Sequence, residues 1–188
     1  EMKVSSVGEI AAAASIMPRQ FAAYFEIPTD SDPAALVSAI KKAGACAKMR
    51  TGGVTESAFP EPAAVARFMM RCRDAGVAFK LTAGLHHPIR AEYRLTYADD
   101  APRGTMFGYI NMFCAAVLAW KGADESVILS ALLATSLRDF QFTDESLSFG
   151  ERVVSIASIQ GAREKFVISF GSCSFREPVD ELAALSTS

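Results

Sequence analysis

The chain has 188 residues, 51% of them hydrophobic and 21% charged, with a formal net charge of −2. That length suits one domain with a core of its own, and the composition excludes a disordered chain. A near-neutral charge without a clustered basic face also excludes a nucleic-acid footprint, and Arg67, Arg71 and Arg73 read as the solvated edge of a helix.

Residues 7–17 (VGEIAAAASIM) predict a helix, with Ser5 or Ser6 as its cap and Pro18 as its stop. The run 21–28 (FAAYFEIP) alternates as a strand. Asp30-Ser31-Asp32-Pro33 starts the next helix, with Asp32 at the cap and proline at the first helical position. That helix runs to about residue 43 and ends at Gly44. A strand over 46–50 follows, turned by Thr51-Gly52-Gly53. Glu61-Pro62 opens a helix that ends at Gly76, and a second strand over 77–82 ends in Ala83-Gly84. Residues 85–103 form a long polar connection containing His86-His87-Pro88, and long loops in compact α/β domains are commonly functional. A buried helix is predicted over 104–120 and another over 124–135. Residues 139–143 (DFQFT) alternate as a strand, 143–146 turn, and 147–154 return. The stretch 158–170 fits one helix by the spacing of Ala162, Phe166 and Phe170, with a strand over 166–170 as the alternative. Glu177-Pro178 starts a terminal helix.

Alternation of strand and helix implies parallel strands joined by right-handed crossovers. Counting 139–143 as the fourth strand, the single α/β domain 1–188 reads as about four βα units, with 144–188 as a hairpin and helical extension. That is the C-terminal half of a TIM-barrel-like (β/α)8 fold; the alternative is a small open parallel α/β sheet. Half a barrel leaves open strand edges and an uncovered polar face. A partner is therefore expected: the N-terminal half-barrel of a longer chain, or a second copy as a homodimer. The Glu1-Met2 opening is not a natural start and fits a piece of something longer.

Side chains alternate between the faces of a strand. Phe21, Ala23, Phe25 and Ile27 therefore share an oily face, and Tyr24 and Glu26 the other. Lys48 and Arg50 fall opposite Ala47 and Met49, and Lys80 and Thr82 opposite Phe79 and Leu81. Paired in parallel, Glu26, Lys48 and Lys80 form a row on one side of the sheet. Barrels keep their chemistry at the carboxyl ends of strands, so Glu26, Lys48, Lys80 and His86 are the catalytic candidates. Arg50, Thr51, Gly52, Gly53, Thr82, His87 and Arg90 are the candidates for binding a small anionic substrate, phosphorylated or carbonyl. Glycines let backbone amides converge on an oxyanion and Arg50 adds a fork. Against this stand plainer readings: Glu26 pairing the lysines in a buried network, and glycines serving only as turns.

Cys46, Cys72, Cys114 and Cys173 lack the spacing of a zinc site or a disulfide framework, and fit thiols in a reducing cytoplasm. The Gly171-Ser172-Cys173-Ser174 turn lacks the G-x-S-x-G pattern of a nucleophile elbow and reads as a C-cap loop. Two adjacent histidines need a third ligand for a metal, from Glu26, Glu92 or Asp99; no metal and no cofactor are expected. No leader opens the sequence and no apolar run spans a bilayer, so neither membrane nor nucleic acid is expected as a partner, and the location expected is cytoplasmic.

The lysine strands resemble the class I aldolases of the 2-deoxyribose-5-phosphate aldolase type. In that family one barrel strand carries a Schiff-base lysine before a Thr/Ser/Gly turn, and the next carries an assisting lysine before another. Lys48 with Thr51-Gly52-Gly53 looks like the first, and Lys80 with Thr82-Ala83-Gly84 like the second. The resemblance implies a lyase in which Lys80 and Arg50 lower the pKa of Lys48. Arg50 stands where the family has a small hydroxyl residue, His86-His87-Pro88 has no counterpart, and the family's acidic proton shuttle lies on an earlier strand. K-x-R-T-G-G followed by T-A-G-L-H-H-P is also similar to an uncharacterised bacterial protein group. The function expected is an enzyme or binding domain for a small anionic substrate. The alternatives are a Schiff-base lyase and a non-catalytic domain that docks a partner half-barrel.

Overall fold

The alternation of apolar and polar residues in the first half of the chain builds the sheet on which everything else is hung. The structure, a computed structural model, describes residues 1–18, 20–172, 174 and 176–186. Cys173 of the Gly-Ser-Cys-Ser turn lies outside the described residues.

In chain order the elements are β1 (Met2–Lys3), α1 (Val7–Ile16), β2 (Tyr24–Glu26), α2 (Ala34–Lys42), β3 (Cys46–Arg50), α3 (Pro62–Ala75) and β4 (Phe79–Thr82). A hairpin follows, β5 (Ala91–Arg94) and β6 (Arg103–Met106), then α4 (Tyr109–Trp120) and α5 (Glu125–Leu133). Last come β7 (Phe140–Phe142), β8 (Ser146–Phe149), β9 (Arg152–Ser155), α6 (Ile156–Lys165), β10 (Val167–Gly171) and α7 (Arg176–Ser186). The fold is α/β. Its centre is a five-stranded parallel sheet in the order β1-β2-β3-β4-β10, open at both edges among the described residues.

Local chemistry sets several boundaries. Ser6 caps α1, its hydroxyl accepting from the Glu9 amide. Asp32 accepts from the Ala34 amide at the start of α2. Pro62 opens α3, and Gly76 closes it in the left-handed region at φ 62°, which a side chain would resist. The oily sheet face is fully buried: Phe25, Ala47, Met49, Phe79 and Leu81 share one core with Ile40 of α2 and Val65, Phe68 and Met69 of α3. Strands added in chain order by right-handed crossovers carry their helices on one face. α1, α2 and α3 pack in sequence, and α4 sits against α3, α5 and α6.

Four expectations need correction. Residues 140–142 do form a strand, but β7 belongs to a separate antiparallel sheet with β8 and β9 and is not the fourth parallel strand. That place beside β4 goes to β10. The single helix expected over 158–170 therefore stops at Lys165. Fully buried Phe166 and Val167 and the hydrogen bonds of the β4 edge outweigh helical spacing here, and the Phe166 ring meets Phe79 edge-on at 4.8 Å. The helix expected from 104 begins at Tyr109, because 103–106 pair with β5 as a hairpin arm. Phe21 is 63% exposed: β2 begins only at Tyr24, so Phe21 has no sheet face to join.

Asn111, fully buried on α4, accepts from the Arg90 amide and donates to the carbonyls of Ala131 and Ala134. It thereby ties the segment after His86-His87 to two helices. No helix among the described residues is long and apolar enough to cross a membrane.

Candidate functional site

The row expected from parity is present in the register: Glu26 pairs with Lys48, and Lys48 with Lys80. Lys3 extends it on the β1 side. Lys48 Nζ lies 2.8 Å from Glu26 and 2.7 Å from Glu1, whose carboxylate also takes Lys80. Arg50 reaches Glu26 at 3.6 Å. Tyr24 completes the patch, with Lys80 Nζ 5.2 Å from its ring centre. Hydrogen bonds from Lys48 and Lys80 hold the Glu1 carboxyl down at about 2. Burial alone would raise Glu26, but hydrogen bonding and charge from Lys48, with Arg50, outweigh it and leave the group below its ordinary value. Burial would likewise lower Lys48, yet Glu1 and Glu26 overcome it and its pKa is raised. The depressed amine expected of a Schiff-base lysine is therefore not what this environment produces. Two cations lie close, but carboxylates separate them.

The glycine turns bring the ends of two strands into close contact. A Cβ on Gly52 would fall 2.5 Å from the Phe59 ring and 2.9 Å from the Gly84 Cα, so the β3 and β4 turns touch backbone to backbone. Thr51, fully buried, donates to the Ala83 carbonyl at 2.6 Å, and Ala83 and Gly84 both adopt positive φ. Thr51 and Gly52 thus lock the two turns together. Thr82 places a buried hydroxyl with no hydrogen-bond partner among the described residues. Arg90 contributes its backbone amide to Asn111 and lines none of the depressions described here.

Gly53 and Gly84 instead floor a cleft of about 370 Å³ at the carboxyl ends of β3 and β4. The β5–β6 hairpin walls it with Tyr93, Arg94 and Arg103, and α7 contributes Glu177. Both histidines line it. His87 is buried, stacked on Tyr93 at 3.5 Å with the rings 8° from parallel, and its Nδ1 lies 2.8 Å from Glu181. His86 Nδ1 is 3.4 Å from Glu177 and 3.3 Å from the hydroxyl of Ser172, which follows β10. Both of those contacts use the same ring nitrogen, so His86 cannot relay a proton from serine to carboxylate as a catalytic triad does. The cleft's frame is pinned by polar contacts: Tyr97 donates to Glu177, Tyr93 to the Ile89 carbonyl, and Tyr109 to the Pro178 carbonyl at the start of α7.

The candidates named from sequence thus divide. His86, His87 and Gly53 line this cleft, whereas Glu26 and Arg50 line a separate depression of about 230 Å³ beside Pro28 and Phe59. Glu92 and Asp99, offered as helpers for a metal, pair with Arg103 and Arg94 instead. Glu177, Glu181, Tyr93 and Glu1 were missed. The spacing of Glu177 and Glu181, one helical turn apart in a predicted helix, was a usable signal. Comparison with protein-family models, curated proteins and solved structures returned no match.

Proposed function

We propose that the chain is an enzyme for a small anionic molecule, working in the cleft at the carboxyl ends of β3, β4 and β10. The observation that carries this reading is that the cleft holds the only two histidines of the chain, each against a carboxylate, beside a wall of two arginines. Crevices outside the carboxyl ends of parallel strands are where open α/β sheets bind ligands. Arg94 and Arg103 are partners in the hairpin register, and each side chain is about half exposed. Together they offer forks to a phosphate or carboxylate. The His86 imidazole opposite would accept or deliver protons at the reacting centre.

The test is a panel of small phosphorylated and carboxylated compounds, with binding followed by calorimetry and turnover by product analysis. Binding should weaken in the Arg94→Gln/Arg103→Gln double variant, and turnover should fall in His86→Asn. A panel with no binder, or binders indifferent to both changes, would overturn the reading.

A second reading concerns the whole sheet. Its strands follow chain order, and its polar row lies on the face opposite the helix-covered core. That arrangement suits part of a TIM-like barrel, with further βα units joining the open edges from a longer chain or a second copy. Light scattering tests the second copy: a monomer at all concentrations excludes it.

A further inference from the structure

We propose that the cleft binds one divalent transition-metal ion on His87, Glu177 and Glu181. The inference deepens the role given to the cleft but does not need the anionic substrate. The His87 Nδ1 and one oxygen of each carboxylate all lie within 4.8 Å of one another. A tetrahedral ion with ligands about 2.1 Å away needs its donors about 3.4 Å apart. The His87–Glu181 contact of 2.8 Å must therefore open slightly to admit an ion. Glu177 and Glu181 are one turn apart on α7, so their side chains rise from the same helix face toward the histidine.

Two further observations point to a cation. First, the carboxylates converge without a fixed counter-charge: among the described residues neither forms an ion pair with lysine or arginine, only with the two histidines. Second, the surroundings suit a ligand shell. His87 is 9% exposed and held flat against Tyr93, which fixes its ring plane, and Tyr97 donates to Glu177. Such outer contacts orient metal ligands. One nitrogen and two carboxylates suit zinc or manganese better than a soft, thiolate-bound metal. Three protein ligands leave a position open to the cleft, the pattern of sites that do chemistry rather than brace a fold.

The experiment is equilibrium dialysis of the EDTA-treated chain against Zn²⁺ alone and Mn²⁺ alone, with elemental analysis. One equivalent should bind. Glu177→Gln and Glu181→Gln, both at partly exposed positions, should each weaken binding about tenfold or more while circular dichroism stays unchanged. No binding of either ion, or binding unaffected by both substitutions, would overturn the site. Metal bound without any anionic ligand would leave this inference standing and count against the anion reading; the reverse result would do the opposite.

Discussion

Replacing Lys48 with methionine tests what the lysine row is for. Methionine keeps the length and removes the charge. Lys48 has an 11% exposed side chain and bridges Glu26, itself 12% exposed, and Glu1. Breaking a buried pair by removing one partner costs about 3–5 kcal/mol, because the other charge is stranded. Two features reduce that figure here. Arg50 remains 3.6 Å from Glu26, and Glu1 is 42% exposed and keeps Lys80. A loss of about 2–3 kcal/mol is therefore expected, read from urea unfolding midpoints at constant slope. Glu26→Gln added to Lys48→Met removes the stranded charge and should return the protein to within about 1 kcal/mol of the parent. If Lys48→Met costs less than about 0.5 kcal/mol, or the two substitutions simply add, the lysine is not part of a coupled network and the reasoning fails.

Acid should weaken the same network. Glu1, held at about 2, and Glu26, held below its ordinary value, contribute stability that is complete above the ordinary carboxylate value of 4.5. That stability is lost as pH falls through the folded values toward about 2, and Glu1→Gln should flatten the curve in this window; an unchanged curve would contradict the pairing. Borohydride with small aldehydes and ketones should leave Lys48 unmodified, since its raised pKa keeps the amine protonated; a trapped adduct at Lys48, located by mass spectrometry, would reinstate Schiff-base chemistry. Gly52→Ala should cost about 1–3 kcal/mol by driving a methyl into Phe59 and the Gly84 backbone, measured as a lower thermal midpoint; an unshifted midpoint would mean the turns do not touch.

Much of the sheet was legible because a strand has only two faces. Once Phe25, Met49 and Leu81 are assigned to the core, Glu26, Lys48 and Lys80 have one place left to go, and they go there. β10 was harder. Phe166 and Phe170 fit a helix by spacing, and only the exposed ladder of β4, a tertiary fact, decides for strand. β1 is two residues long and carries no pattern of its own. The site was half legible. His86 and His87 stand out by being scarce, but their partners lie about ninety positions away on α7, and the loop that brings them together follows no local rule. Tyr93 reaches His87 only because 91–94 fold back as a hairpin against 103–106, which the polar composition of that stretch conceals. The glycine turns are ambiguous for a related reason: close backbone approach and anion cradling ask for the same residue.

Because the chain holds just two histidines, both in the cleft, ¹⁵N-histidine NMR reads the site directly. Ring signals of His86 and His87 should shift together when a small phosphorylated or carboxylated ligand binds, and the Nδ1 signal of His87 should change most on adding Zn²⁺. Ligand binding that leaves both rings untouched would contradict a working site in this cleft.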